Sequence, residues 1–130
     1  MKYIYTAVFS QDGNKVIATV PDLPGCTTSG RDLDDAIAMV TDAASMYLVF
    51  AEDNDLDIAP ATNQADILKE DGDILSLIQV DTIEYRALTD TKAVRKNVSL
   101  PQWMATLADK RGINCSQVLQ AGLLQQLNSR

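Results

Sequence analysis

Two rhythms of apolar residues run along the chain, and each predicts its own kind of element. Residues 2–9 (Lys-Tyr-Ile-Tyr-Thr-Ala-Val-Phe) are dense in β-branched and aromatic side chains and predict a strand. Asp12-Gly13-Asn14 makes a turn, and residues 16–20 form the returning strand of a hairpin. Pro21-Asp22-Leu23-Pro24-Gly25-Cys26 is a stiff, turn-rich run, and residues 27–30 supply a short third strand at the sheet edge. The period then becomes helical. Leu33, Ala36/Ile37, Val40, Ala43/Ala44, Tyr47, Leu48 and Ala51 form one stripe reaching about Glu52. Asp32 caps this helix, with Asp34 and Asp35 in its first turn, where the helix dipole favours anions. Residues 53–65 read as an exposed polar loop and residues 66–71 as one helical turn. Residues 73–85 predict a long central strand, and residues 86–92 a polar linker.

Residues 94–127 follow a separate plan. Side chains alternate along a strand, so Val94, Val98 and Leu100 share one face and Arg95, Asn97 and Ser99 the other. Lys96 falls on the apolar side, where its stem can cover apolar surface while its charge stays in water. Pro101 starts a helix, a position where a missing N–H costs nothing. Trp103/Met104, Leu107 and Ala108 recur at helical spacing until Gly112 stops the run. Asn114 caps a second helix, with Gln117 three residues on as in a capping box, and Val118, Leu119, Leu123 and Leu127 continue its stripe. One strand and two short helices, roughly 35 residues, cannot bury a stable core alone. The strand edge also needs a partner. A second copy is the simplest one, giving an antiparallel ribbon over intertwined helices.

That arrangement resembles the ribbon-helix-helix DNA-binding module, whose ribbon enters the major groove. The resemblance implies that Arg95, Asn97 and Ser99 face base edges: Arg forks onto guanine, Asn onto adenine, and Ser serves either. It also implies that the free N–H groups of Cys115 and Ser116, behind Asn114, hold a backbone phosphate. An ordinary dimerisation element with solvated basic residues is the alternative. Trp103 belongs in the dimer core or against the linker on either view.

The net charge of −7 suits a DNA-binding chain only once it is divided. Residues 1–85 hold sixteen acidic residues against four basic ones, a net of −12; residues 86–130 hold two against seven, a net of +5. Such a split is expected when an effector part is tethered to a nucleic-acid-binding part. With no histidine, Ser-His and Cys-His catalysis and the usual zinc sites are excluded. Cys26 and Cys115 lack metal-ligand spacing and read as free thiols of a reducing compartment. No targeting signal or membrane-spanning run is read, so a cytoplasmic protein is expected, with no cofactor and no metal.

The hairpin, the Pro21-Asp22-Leu23-Pro24-Gly25-Cys26 run, the Thr28–Gly30 approach and the acidic start of an Ala-spaced helix are similar to those of the HicB antitoxins. This resemblance covers nearly all 130 residues. It implies an α+β fold: a partial ribonuclease-H-like β-β-β-α-β domain over residues 1–85, a linker over 86–92, and a dimeric ribbon-helix-helix module over 93–130. It further implies an antitoxin of a type II toxin-antitoxin system, which inhibits a HicA-type mRNA-cleaving ribonuclease toxin and represses its own operon by binding operator DNA. A ribonuclease must present a positive surface to phosphate, which an acidic domain complements and steers toward. Toxin contact is expected from Asp22 and Leu23 on the rigid loop and from Asp32, Asp34 and Asp35 at the helix start. The Pro-Asp-Leu-Pro-Gly run also reads simply as a tight crossover. Ribonuclease H chemistry needs carboxylates converging on paired metal ions; no such set is recognisable, so no enzymatic activity is expected. A homodimer through residues 93–127 is expected, with a tetramer as its possible extension. The alternative function is a ribbon-helix-helix repressor whose acidic domain senses a small ligand and has no toxin partner.

Overall fold

The N-terminal strand runs longer than its apolar pattern required and organises everything up to Asp90. In a computed structural model that describes residues 1–128, β1 spans Lys2–Asp12. β2 (Lys15–Thr19) returns across Gly13-Asn14. Gly13 sits at φ +63°, a left-handed value that glycine adopts without steric cost. β3 (Thr27–Gly30) pairs with β2, and β4 (Ile74–Asp81) pairs with β1 on its other side. All pairings are antiparallel, in the order β3-β2-β1-β4.

Helix α1 (Leu33–Asp53) covers one face of this sheet. Its residues Ala36, Val40, Ala44 and Leu48, four apart, form a ridge against Tyr5, Ala7, Phe9, Ile78 and Val80. The approach is close at the helix start: a Cβ on Gly30 would lie 2.4 Å from the backbone nitrogen of Ala36. Only glycine fits there. Asp32 is the N-cap as expected, its Oδ1 accepting from the Asp35 N–H at 2.8 Å. Asp35 reaches back to accept from the Arg31 N–H, also at 2.8 Å. At the far end the Leu56 N–H donates to the Ala51 carbonyl at 2.9 Å, around Asp55 at φ +53°.

Three expectations are corrected in this unit. β4 lies at a sheet edge rather than in the centre, because only β1 pairs with it. It stops at Asp81, and the segment read as strand end and linker is a helix, α2 (Thr82–Thr89). Asp81 begins this helix by accepting from the Ile83 and Glu84 N–H groups at 3.0 and 3.2 Å. Arg86 then fastens it to α1, reaching Glu52 Oε1 at 3.1 Å and Asp53 Oδ1 at 2.8 Å. Lastly, the short turn in the loop is a 3₁₀ turn at Gln64–Asp66, capped by the Asn63 side chain, rather than at 66–71.

The chain divides into two compact units, Met1–Asp90 and Thr91–Arg130, here termed the head and the tail. Moving the division to Asp90 leaves the charges at −12 and +5, since Arg86 and Asp90 cancel. In the tail, α3 (Gln102–Lys110) and α4 (Cys115–Asn128) are joined through Gly112 at φ +64°. The Ile113 N–H donates to the Ala108 carbonyl at 3.0 Å and the Gly112 N–H to Asp109 at 3.2 Å, the two bonds of a Schellman motif. Asn114 caps α4 by accepting from the Gln117 N–H at 3.1 Å. Residues 94–100 form no strand in the single chain. A ladder needs a neighbour, and this stretch was expected to find it in another copy.

Candidate functional site

Among the described residues of the tail, none is buried. Val94, Val98, Leu100, Trp103, Met104, Leu107, Ile113, Val118, Leu119, Leu123, Leu124 and Leu127 all stand exposed. Water therefore meets the stripe that should form a core. Part of it lines a groove of about 390 Å³, whose walls include Lys96, Val98, Leu100, Met104, Ile113 and Val118. Lys96, Val98 and Leu100, alternate residues of the segment, line this groove, and Arg95, Asn97 and Ser99 are not among its walls. At the start of α4, Cys115 and Ser116 precede the first N–H that can bond back into the helix, and the Asn114 cap engages Gln117 instead. Cys115 and Ser116 also line the groove.

The head's five anticipated contact residues fare differently. Leu23 is 1 % exposed and packs in the core, so it is not available to a partner. The Pro21–Cys26 run is a closed loop that turns Leu23 inward: Leu23 N–H donates to Val20, Cys26 N–H to Leu23, and Val20 N–H to Cys26. Asp22 is half-buried and engaged, its two oxygens accepting from the Thr62 N–H at 2.8 Å and the Thr62 hydroxyl at 2.6 Å. Asp32 and Asp35 are occupied at the helix start. The Arg31 N–H holds the Asp35 carboxyl below the usual carboxylate range, outweighing partial desolvation, and the Arg31 guanidinium adds to it. Asp34 is exposed in the first turn of α1.

Sequence reasoning missed the groups that remain open on the head. Met39, Met46 and Phe50 stand out from the solvent side of α1, and Ile4 and Leu77 from the uncovered sheet face. Their signal was present as apolar residues falling outside the buried stripe. It also missed the network at the end of β1. Tyr3 donates to Glu52 Oε2 at 2.7 Å, and the Thr82 hydroxyl donates to the same oxygen at 3.0 Å. Burial and this bond push the Tyr3 phenol up to about 12. Burial likewise raises the Cys26 thiol, against a backbone hydrogen bond that lowers it, and an apolar, buried thiol is chemically inert. Among the described residues no cluster of acidic and cysteine side chains could hold a metal ion. Nor is any described helix long and apolar enough to cross a membrane.

The family described as HicB_like antitoxin of bacterial toxin-antitoxin system matches residues 5–128. The chain belongs to the HicB-like antitoxins. Solved structures share the fold of this HicB-like chain. The crystal structure of the Burkholderia pseudomallei antitoxin HicB is 26 % identical with a TM-score of 0.52, covering 98 % of this chain and 97 % of that one. A toxin-antitoxin complex from Streptococcus pneumoniae contains a chain 20 % identical with a TM-score of 0.59, covering 97 % and 99 %. A chain of the HicA3 and HicB3 toxin-antitoxin complex is 21 % identical with a TM-score of 0.51, covering 61 % and 99 %. No curated protein sequence matches the chain.

Proposed function

We propose that this HicB-like antitoxin binds and inhibits a HicA-type mRNA-cleaving ribonuclease with its head, and represses its own operon through a dimeric ribbon-helix-helix tail. The observation that carries this reading is the division of charge: −12 through Asp90 and +5 beyond it. An anionic head suits a cationic nuclease, and a cationic tail suits operator DNA. Two segments 94–100, one from each copy, would pair as the ribbon, with Val94, Val98 and Leu100 toward the helices and Arg95, Asn97 and Ser99 toward the bases. The Cys115 and Ser116 N–H groups would take a phosphate. Family membership and the complex-forming relatives support the toxin half; the tail's uncovered apolar stripe supports the dimer. Messenger RNA and operator both lie in the cytoplasm, where the protein would act.

The test has two arms. The chain is titrated against the product of the reading frame adjacent to its own and RNA cleavage is followed; undiminished cleavage at saturating antitoxin excludes inhibition. Operator binding is measured for the native chain and for Arg95→Ala, which should lose about 1–3 kcal/mol and blur discrimination at one base pair. Unchanged affinity would remove Arg95 from the reading face.

A further inference from the structure

The outer side of α1 carries a ridge and a groove that the head's own folding does not use. Met39, Met46 and Phe50 are 46, 59 and 60 % exposed. Their spacings of seven and four residues stack them along one side of the helix. Beside them runs a groove of about 410 Å³ with Thr41, Asp42, Asp81, Glu84 and Tyr85 on its walls. Asp42 stands between the two features, on the helix turn linking Met39 to Met46. The neighbouring cation, Arg86, is already paired with Glu52 and Asp53.

Charge decides which partner suits this surface. Another copy of the head, also at −12, would be repelled from an acid-lined groove. A basic partner would be drawn in. The uncovered sheet face offers no such bias: Lys2 lies opposite Asp81, and Asp12 opposite Lys15, in its strand registers. Exposed thioethers also suit a contact surface, because unbranched methionine adapts its shape to what it meets, and methionine and phenylalanine are both enriched in the cores of interfaces.

We infer that the ridge and groove of α1 receive the basic ribonuclease of the proposed function. An apolar patch of that partner covers Met39, Met46 and Phe50, while one of its lysines or arginines enters the groove beside Asp42 and Glu84. The inference rests on the toxin-binding reading and gives it a location.

The experiment uses the full chain and the same adjacent gene product, measuring Kd together with protection of RNA. Asp42→Lys with Met46→Lys changes two exposed residues, so the thermal melt of the head should be retained and is checked. This variant should bind at least about thirtyfold more weakly and let cleavage resume, whereas Leu77→Lys on the sheet face should match the native chain. Asp42→Asn alone should slow association and flatten its dependence on salt. A native chain that fails to bind removes the function itself. A native chain that inhibits while the folded double variant inhibits equally well overturns the location alone, as does loss of binding in Leu77→Lys only. An association rate indifferent to Asp42→Asn overturns the groove's part in it.

Discussion

Leu48 and Leu119 each sit on the apolar stripe of an amphipathic helix, yet one is sealed from solvent and the other is 36 % exposed. Around Leu48 the chain supplies every neighbour the stripe requires: a sheet of four strands, the inward-turned Leu23 and the Pro21–Cys26 loop. Around Leu119 it supplies a groove and little else. The same hydrophobic pattern therefore has two meanings, and only the neighbours distinguish them. In the head it describes a finished core. In the tail it describes a stripe that the chain itself leaves uncovered, which is why a second copy enters the proposed function.

The sharpest way to break this comparison is to charge the tail's stripe and see which unit responds. Val98→Asp with Leu119→Asp alters residues that are exposed in the single chain, so a self-sufficient tail should tolerate the change. If another copy buries them, each carboxylate enters an apolar interface without a partner, a loss on the order of 3–5 kcal/mol. We expect dissociation to monomers by sedimentation, a fall in helical circular dichroism matching α3 and α4, and an unchanged melt of the head. A dimer that persists would show that the tail's stripe is not its interface.

Gly30→Ala probes the opposite side. The new methyl would meet the Ala36 backbone at 2.4 Å, and neither β3 nor the capped start of α1 can yield cheaply. About 1–3 kcal/mol or more should be lost from the head, with the tail's self-association untouched. Chemical denaturation read from the tyrosines reports the head, since Tyr3, Tyr5, Tyr47 and Tyr85 all lie there.

What could be read beforehand divides along the same physical line. Asp32, Gly112 and Asn114 act on the backbone within a few residues, and their places were legible because caps and left-handed turns are local chemistry. Leu23 was not. Its Pro-Asp-Leu-Pro-Gly setting looks like an exposed turn, but the closed loop turns the side chain inward and the sheet and α1 give it a core to enter. Asp81 was overlooked although Asp-Thr-Ile-Glu carries a capping signal, an acid followed by Glu three residues on. It was hidden because Ile74–Asp81 and Thr82-Ile83 form one β-branched run. Arg86 read as linker because its anchors, Glu52 and Asp53, are more than thirty residues away. The candidate contacts on α1 went unnoticed for a related reason: a search for the buried stripe discards the residues outside it.

The two units also end their helices by the same device in different residues, and this gives the finest test. α1 and α3 both close with a residue in left-handed conformation, Asp55 at φ +53° and Gly112 at φ +64°. Each is followed by an N–H that bonds five residues back, Leu56 to Ala51 and Ile113 to Ala108. Asparagine and aspartate tolerate this region, but glycine enters it without crowding a Cβ. Asp55 carries a cost that Gly112 does not, and the rest of the head must offset it. Asp55→Gly should therefore stabilise the head by about 0.5–1 kcal/mol, less whatever glycine adds to the entropy of the unfolded chain. Gly112→Asp should weaken the tail by a similar amount. Nothing within 4 Å of a Cβ at Gly112 would clash, so any loss there is conformational rather than steric. If Asp55→Gly instead destabilises the head, the carboxylate must be serving a contact beyond the turn. On a head read as complementary to a basic surface, that residue would then join the search for where the partner sits.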